Sequence, residues 1–420
     1  VTDDAGAISR SDAVRVAIAA ALGSLGSYVV LAVAARTLTP GADAQFLVFW
    51  SALFLTFGVL GGIQNEVTRT VSVARAEVAG PAGTGAAVLP VALVIGAVGA
   101  ALLGATSPWW GGALLGDRWP ALVGALCLGA LAFSGHAATA GALAGRGRWS
   151  RYALVVGAEG TARPVLAGLA AAAGAGAAGL GWASAAAAAA WVVLLAVPAV
   201  RAGARARSPL PRARLTATTL QAMLATAASS VLLVGFAVLL SATSPAPEVA
   251  AAAPVILAVT LTRAPVMIPL QAFQGVAIAH VVAHRDRGLA ALAPVITVVG
   301  SGTAVVALLA WWVGEPVMRL VFGPANAVPG STLAGLVVAS GLLALVTLTG
   351  AVALALGDHR RYAAGWVAAT VVTTALLLVD LPLAPRVVLA LCGGPLVGAA
   401  VHLAGRRVRT GTGGPAGSLE

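Results

Sequence analysis

Residues 141–166 read GALAGRGRWSRYALVVGAEGTARPVL, an arginine-rich break followed by an apolar run that carries Glu159 and Arg163 inside it. From Tyr152 the chain stays apolar for about 20 residues, the length a helix needs to cross a bilayer. Glu159 and Arg163 are spaced i, i+4 and so share one helical face. At about 1.5 Å per residue from Tyr152, Arg163 falls roughly 17 Å deep, near the midplane. A basic break leading into such a span points to a polytopic helical membrane protein.

The rest of the chain repeats this pattern. Of 420 residues, 60% are hydrophobic and 9% charged, against roughly 25% charged in ordinary soluble domains. So few charges cannot cover a soluble surface, which excludes a soluble enzyme, a DNA-binding protein and a single-span receptor with a folded ectodomain. Apolar runs between polar breaks give twelve candidate spans, near 14–35, 45–63, 86–106, 121–143, 152–173, 178–199, 217–241, 250–282, 289–313, 332–356, 362–379 and 386–404. The eighth is too long for one straight span and predicts a tilted or broken helix.

The arginines test this division. All 25 basic residues are Arg, which reads as the coding bias of a high-GC bacterium. With the N-terminus inside, nineteen fall in inside segments and four outside (Arg36, Arg118, Arg319, Arg386), in unbroken alternation. That is a positive-inside pattern with both termini cytoplasmic. Trp109, Trp110, Trp119, Trp182, Trp311 and Trp312 fall at the expected outer interface. The net charge of +11 therefore reports topology, and no nucleic-acid partner is expected. Ala32-Val33-Ala34 resembles a signal cleavage site, but the apolar run before it is longer than a signal core, so the first span is read as retained. Cys127 and Cys392 lie in apolar runs without metal-type spacing and read as packing residues.

The basic segment RAGARARSPLPRAR at 201–214 divides the spans six and six. The expected organisation is an N-terminal six-helix lobe at 1–200, a cytoplasmic linker at 201–216, a C-terminal six-helix lobe at 217–409 and a flexible tail at 410–420 that ends in a cloning scar. Internal similarity supports a duplication: ALAGRGRWSRYA at 142–153 matches ALALGDHRRYA at 353–363, and Trp109-Trp110 matches Trp311-Trp312. Six spans per half return the chain to the same side, so the halves are expected to be parallel repeats.

Charges inside the membrane are the candidate functional groups. Glu159 and Arg163 lie in span five; the bland reading is a static ion pair, the functional one a switchable pair lining a cavity. Arg263 lies near mid-depth in span eight with no acidic residue in its own span, and asks for an anion. Arg suits phosphate through its planar fork of donors. Gln271 and Gln274 continue span eight and either line the cavity or bond neighbouring helices. His280 and His284 read as interfacial packing, and His136 as a helix–helix hydrogen bond. Gln64, Asn65 and Glu66 read as a polar cap ending span two. No Walker loop, zincin motif or acidic pair in an outer loop is present, so ATP-driven transport within this chain is excluded and no cofactor is expected.

Four stretches resemble the multidrug/oligosaccharidyl-lipid/polysaccharide (MOP) exporter superfamily, in particular its bacterial polysaccharide flippase branch. These are AVAARTLTPGADAQFLVFWSALFLTFGVLGGIQNEVTR at 32–69, the 141–166 segment, TRAPVMIPLQAFQGVAIAHVV at 262–282 and VMRLVFGPANAVPGSTLAGLVVASGLLALV at 317–346. The resemblance implies an all-α polytopic transporter with two six-helix lobes in a V shape. It further implies a flippase for polyprenyl-(pyro)phosphate-linked sugars in the bacterial cytoplasmic membrane. Arg263 falls where that family's eighth-span arginine belongs, and Arg36 near its first-span arginine. Arg263, Arg163 and Arg36 are then substrate-binding residues with Gln271 and Gln274, and Glu159 the coupling or gating group. Thr39 departs from the glycine frequent at that place, and the additional helical pair of lipid II flippases is missing. The partners implied are a lipid-linked anionic glycan, membrane lipids and envelope-glycan synthesis enzymes. The rival readings are a drug or metabolite antiporter of the same superfamily, a membrane-embedded glycosyltransferase and a non-transporting envelope scaffold.

Overall fold

A computed structural model describes residues 9–76, 85–264, 266–267, 270, 293–355 and 358–404. Gln271, Gln274, His280, His284 and the tail 410–420 lie outside these residues. The described chain is helical, with one isolated bridge between Ala87 and Arg207. Among the described residues, eight helical stretches are long and apolar enough to cross a membrane, one of them running through the third and fourth spans together.

Helix α1, Arg10–Thr37, starts where the Ser9 hydroxyl accepts the Asp12 backbone N–H at 3.1 Å, one of the orphan donors of a helix start. Helix α2, Pro40–Ala76, opens on a proline and continues past residue 63. No Gly or Pro interrupts 63–76, so nothing stops the helix at the expected polar cap, and Gln64, Asn65 and Glu66 lie within it. Helices α3, Val88–Leu115, α4, Trp119–Gly145, and α5, Trp149–Ala172, follow. The sixth span is broken into α6, Gly176–Ala186, a 3-10 turn, and α7, Ala190–Leu194, before α8, Pro198–Ala204. Helix α9, Arg212–Val234, breaks at Gly235 into α10, Phe236–Thr243, and α11, Ala246–Ala250, precedes α12, Ala253–Ala264. The last four are α13, Ala293–Phe322, α14, Gly330–Ala355, α15, His359–Leu377, and α16, Leu383–Leu403.

Packing groups the chain into two compact units. The first comprises Val1–Thr260, Val313–Pro329 and Leu377–Ala384; the second comprises Leu261–Trp312, Gly330–Leu376 and Pro385–Glu420. In the first, α5 packs on α1, α4 on α3, and both α4 and α9 on α2. Missing side chains make these approaches possible. A Cβ on Gly160 would lie 2.6 Å from Gly23 Cα across the α1–α5 contact, and one on Gly141 or Gly145 2.7 Å from the Gln64 or Thr68 carbonyl of α2. Without a water-driven force between spans, such close backbone contact supplies the dispersion that holds helices together.

In the second unit α14, α15 and α16 meet around His402, which is buried. Its Nε2–H donates to the Tyr362 carbonyl at 3.1 Å, and in that tautomer Nδ1 accepts from the Thr349 hydroxyl at 3.0 Å. A Cβ on Gly398 would lie 2.7 Å from the Gly365 carbonyl, so α16 rides directly on α15. The two similar sequence segments take the same local form: Tyr152 and Tyr362 each occupy the fourth position of their helices. Of the tryptophans expected at the outer interface, Trp109, Trp182, Trp311 and Trp312 are exposed and Trp110 and Trp119 are partly buried.

Candidate functional site

Three aromatic residues of α2, Trp50, Phe54 and Phe57, recur at i, i+4 and i+7 and so share one face. Arg163, on α5, lies over that face. Its Cζ is 4.8 Å from the Phe54 ring centroid, 5.8 Å from Phe57 and 5.9 Å from Trp50. These are cation–π distances, and such contacts strengthen when water is excluded. Arg163 is only 3% exposed, and its Nη2 forms an ion pair with Glu159 Oε1 one turn earlier on the same helix. Its Nε, by contrast, has no hydrogen-bond partner. A mid-span guanidinium is thus held by one carboxylate and three rings, with one buried donor left over.

The aromatic face continues into α4. Phe57 stacks on Phe133 at 4.2 Å and 8°, and Phe133 on His136 at 5.3 Å and 16°. His136 is buried, and its Nδ1 carries no hydrogen bond. The helix–helix hydrogen bond expected of it is replaced at this nitrogen by stacking, because Phe133 lies one turn away on the same face.

The structure brings Glu159 and Arg163 together. Arg263 is half-buried, next to the last residue of α12. Arg36 is exposed in the last turn of α1, where its Nε–H donates to the Val321 carbonyl at 3.0 Å and its Nη2 to the Leu320 carbonyl. These carbonyls end α13, so the guanidinium satisfies acceptors that the helix itself leaves open. Asn326 adds to this contact by donating to the Phe322 carbonyl at 3.2 Å.

Glu66 is also placed differently from its sequence reading. It is buried in α2 and accepts from Arg69 Nε and Nη2 at 2.8 and 2.7 Å, while Arg69 reaches the surface. One acidic residue escaped notice altogether. Asp43, in the first turn of α2, is 2% exposed with Oδ1 unpartnered. In the linear sequence it sits three residues after Pro40, where an acid reads as an ordinary partner of the helix dipole. Among the described residues no group of three or more His, Cys, Asp or Glu is arranged to hold a metal ion.

This arrangement of helices is shared with solved transporters of the MOP superfamily. The chain superimposes on an inward-facing multidrug resistance MATE family transporter of that superfamily with a TM-score of 0.69, covering 92% of this chain and 94% of that one at 14% identity. On a MOP superfamily transporter from Pyrococcus furiosus, reported with a binding pocket of reverse polarity suggesting a different function, the TM-score is 0.63, with 95% of each chain covered at 16% identity. The protein thus has the all-α, multi-pass fold of the MOP transporters.

Its sequence relatives define a narrower group. It is 41% identical over 401 residues to the uncharacterized protein Rv1510 of Mycobacterium tuberculosis, covering 95% of this chain and 92% of that protein. It is 39% identical over 405 residues to the uncharacterized protein Rv3630 of the same organism, with the same coverage. The chain belongs to the family of these mycobacterial proteins. No protein-family profile matches it.

Proposed function

We propose that this protein is a flippase that moves a polyprenyl-(pyro)phosphate-linked oligosaccharide or envelope-glycan precursor from the cytoplasmic to the outer leaflet by alternating access. The observation that carries the reading is Arg163, buried near mid-span over an aromatic face, with one carboxylate as partner and Nε unpartnered. A guanidinium offers planar, bidentate recognition to phosphate, and aromatic faces suit sugar rings and the apolar neck of a lipid carrier. Arg163 in the fifth span takes the anionic head, and Arg263 in the eighth is a further arginine suited to bind an anion. Gln271 and Gln274 are the further substrate-binding residues of the eighth span under this reading. Glu159 re-pairs with Arg163 once the head has left, which returns the site to its resting state. The reverse pocket polarity reported for the Pyrococcus furiosus transporter, which suggests a different function for it, supports the idea that this scaffold serves more than one function.

The arginine distribution supports placement in the bacterial cytoplasmic membrane with both termini inside. Outward movement of negative charge is then favoured by the membrane potential, about 2.3 kcal/mol per charge per 100 mV for complete transfer. Enzymes of envelope-glycan synthesis supply and consume such a substrate and are the expected partners. The test is depletion of the protein, followed by analysis of lipid-linked saccharides on each leaflet. One intermediate accumulating on the inner leaflet, relieved by the native chain but not by a stably folded Arg263→Ala variant, supports the reading. No change in any lipid-linked saccharide, or full relief by Arg263→Ala, overturns it.

A second reading is favoured by one residue. Asp43 is a buried carboxylate with an unpartnered oxygen, the kind of group a cation-coupled antiporter uses. Under that reading Asp43→Asn abolishes proton- or sodium-driven efflux; under the flippase reading it leaves glycan translocation within about twofold.

A further inference from the structure

Residues 201–214 carry five arginines that the site above does not use: Arg201, Arg205, Arg207, Arg212 and Arg214, all exposed. No acidic residue occurs in the sequence from Gly160 to Pro247. Positive-inside topology alone requires only that such residues stay on one side of the membrane, and a disordered loop would serve. Here the segment is built into the fold. The Ser208 N–H donates to the Ala86 carbonyl at 2.8 Å, the Ala86 N–H to the Leu210 carbonyl at 3.0 Å, and the Val88 N–H to the Ala206 carbonyl at 3.1 Å. Arg207 Nε–H adds a bond to the Gly85 carbonyl at 2.9 Å, and Arg146 Nη1 fastens the preceding turn through the Ala202 carbonyl at 2.6 Å.

This short ladder imposes a two-residue alternation. Ala204, Ala206 and Ser208 are buried, whereas Arg205, Arg207 and Pro209 are exposed, so the two arginines project from one face about 7 Å apart. Immediately afterwards α9 begins without a side-chain cap, and the Leu215 N–H is the first to donate within it, to the Pro211 carbonyl at 3.0 Å. The N–H groups of Arg212, Ala213 and Arg214 therefore face outward at the positive end of a helix, next to two guanidinium groups. On α2, which α9 packs against, Glu66 is taken by Arg69. The helices that precede and follow the segment present apolar side chains to the surroundings: Val192 and Val193 of α7, and Leu220 and Leu224 of α9.

We propose that this ledge is a binding surface for the headgroups of anionic phospholipids in the leaflet that borders it. The backbone that carries the cations is fixed, and exposed apolar side chains lie on the helices to either side of it, a pairing that suits a phosphodiester headgroup with its acyl chains. The rigid mounting means that little ordering entropy is lost when a lipid docks. The surface lies in the basic segment between α8 and α9, so bound lipid holds that segment against the start of α3.

The experiment is native mass spectrometry of the full chain in detergent with added phosphatidylglycerol or phosphatidylcholine. Retention of phosphatidylglycerol should exceed that of phosphatidylcholine, and added salt should reduce it, as it does any contact between exposed charges. Replacing Arg205 and Arg207 with Gln should lower phosphatidylglycerol retention by roughly fivefold per arginine, the equivalent of about 1 kcal/mol each. The same replacement at Arg360 and Arg361, which lie outside the ledge, should leave retention unchanged. The R205Q/R207Q chain keeps Arg201, Arg212 and Arg214 and hence its orientation; its thermal unfolding, measured beside the native chain, reports that it is folded. Equal retention of the two lipids by the native chain, salt-insensitive retention, or an equal loss from the Arg360/Arg361 variant overturns the proposal.

Discussion

Changing Glu159 to Gln removes the one formal charge that balances Arg163 and leaves the side-chain volume almost intact. Arg163 is 3% exposed, and water cannot take the place of the lost carboxylate. Removing one partner from a buried ion pair typically costs about 3–5 kcal/mol, because the remaining charge stays in a low-dielectric place. Part of that is offset here. The contacts of Arg163 with Phe54, Phe57 and Trp50 survive the substitution, and a desolvated cation–π contact contributes up to about 2 kcal/mol. The expected loss for Glu159→Gln is therefore near the lower end, about 3 kcal/mol. Arg163→Met should cost less, because Glu159 is more open to its surroundings than Arg163 is. Replacing both, with Glu159→Leu and Arg163→Met, removes the buried charges together and should return stability to within about 1 kcal/mol of native. The assay is reversible unfolding in mixed micelles, completed as a double-mutant cycle. A loss below about 0.5 kcal/mol for Glu159→Gln would refute the claim that the pair is buried and mutually dependent. So would a double variant as unstable as the single one. If the doubly apolar chain is stable yet inactive in translocation, the charges serve transport and not folding.

Three further expectations follow from the packing. Gly160→Leu places a side chain where a Cβ already meets Gly23 Cα at 2.6 Å, and should destabilise by about 1–3 kcal/mol through separation of α1 and α5. Gly168→Ala, whose Cβ meets nothing within 4 Å, is the silent control in the same unfolding assay. Arg36→Ala removes the guanidinium from the last carbonyls of α13; hydrogen exchange should speed up in the last turn of α13, with a global loss of about 1 kcal/mol or less. His402→Ala deletes a buried ring and its bonds to Thr349 and Tyr362, which should cost about 2–4 kcal/mol on unfolding and leave the first compact unit's exchange protection unchanged.

Membrane spans were legible because the bilayer acts on each segment separately. A run of about 20 apolar residues is enough to commit a helix to hydrocarbon, whatever its neighbours do. The end of α2 was misplaced for a complementary reason. Polarity at Gln64–Glu66 suggests a boundary, but a helix stops at a breaker or a cap, and no Gly or Pro occurs between Ile63 and Ala76. The breaks at 187–189 and at Gly235 are equally local, yet they fall in runs of alanine and apolar residues that carry no periodic signal.

The amino-acid sequence by itself determined the class of protein, the positions of most spans and the presence of an opposite-charged pair on one face of the fifth. Composition, hydropathy and i, i+4 spacing are properties of neighbours along the chain, and no folding is needed to read them. Tertiary structure decided what surrounds that pair. Trp50, Phe54 and Phe57 lie more than a hundred residues from Arg163, and only the packing of the helices brings their rings over its guanidinium. Packing also buried Asp43 and Glu66, turned Arg36 onto the end of α13 and fastened residues 206–210 to the start of α3. Each of these depends on which helix faces become adjacent, and in so uniform a run of alanine, glycine and leucine one face looks much like another until the backbones meet.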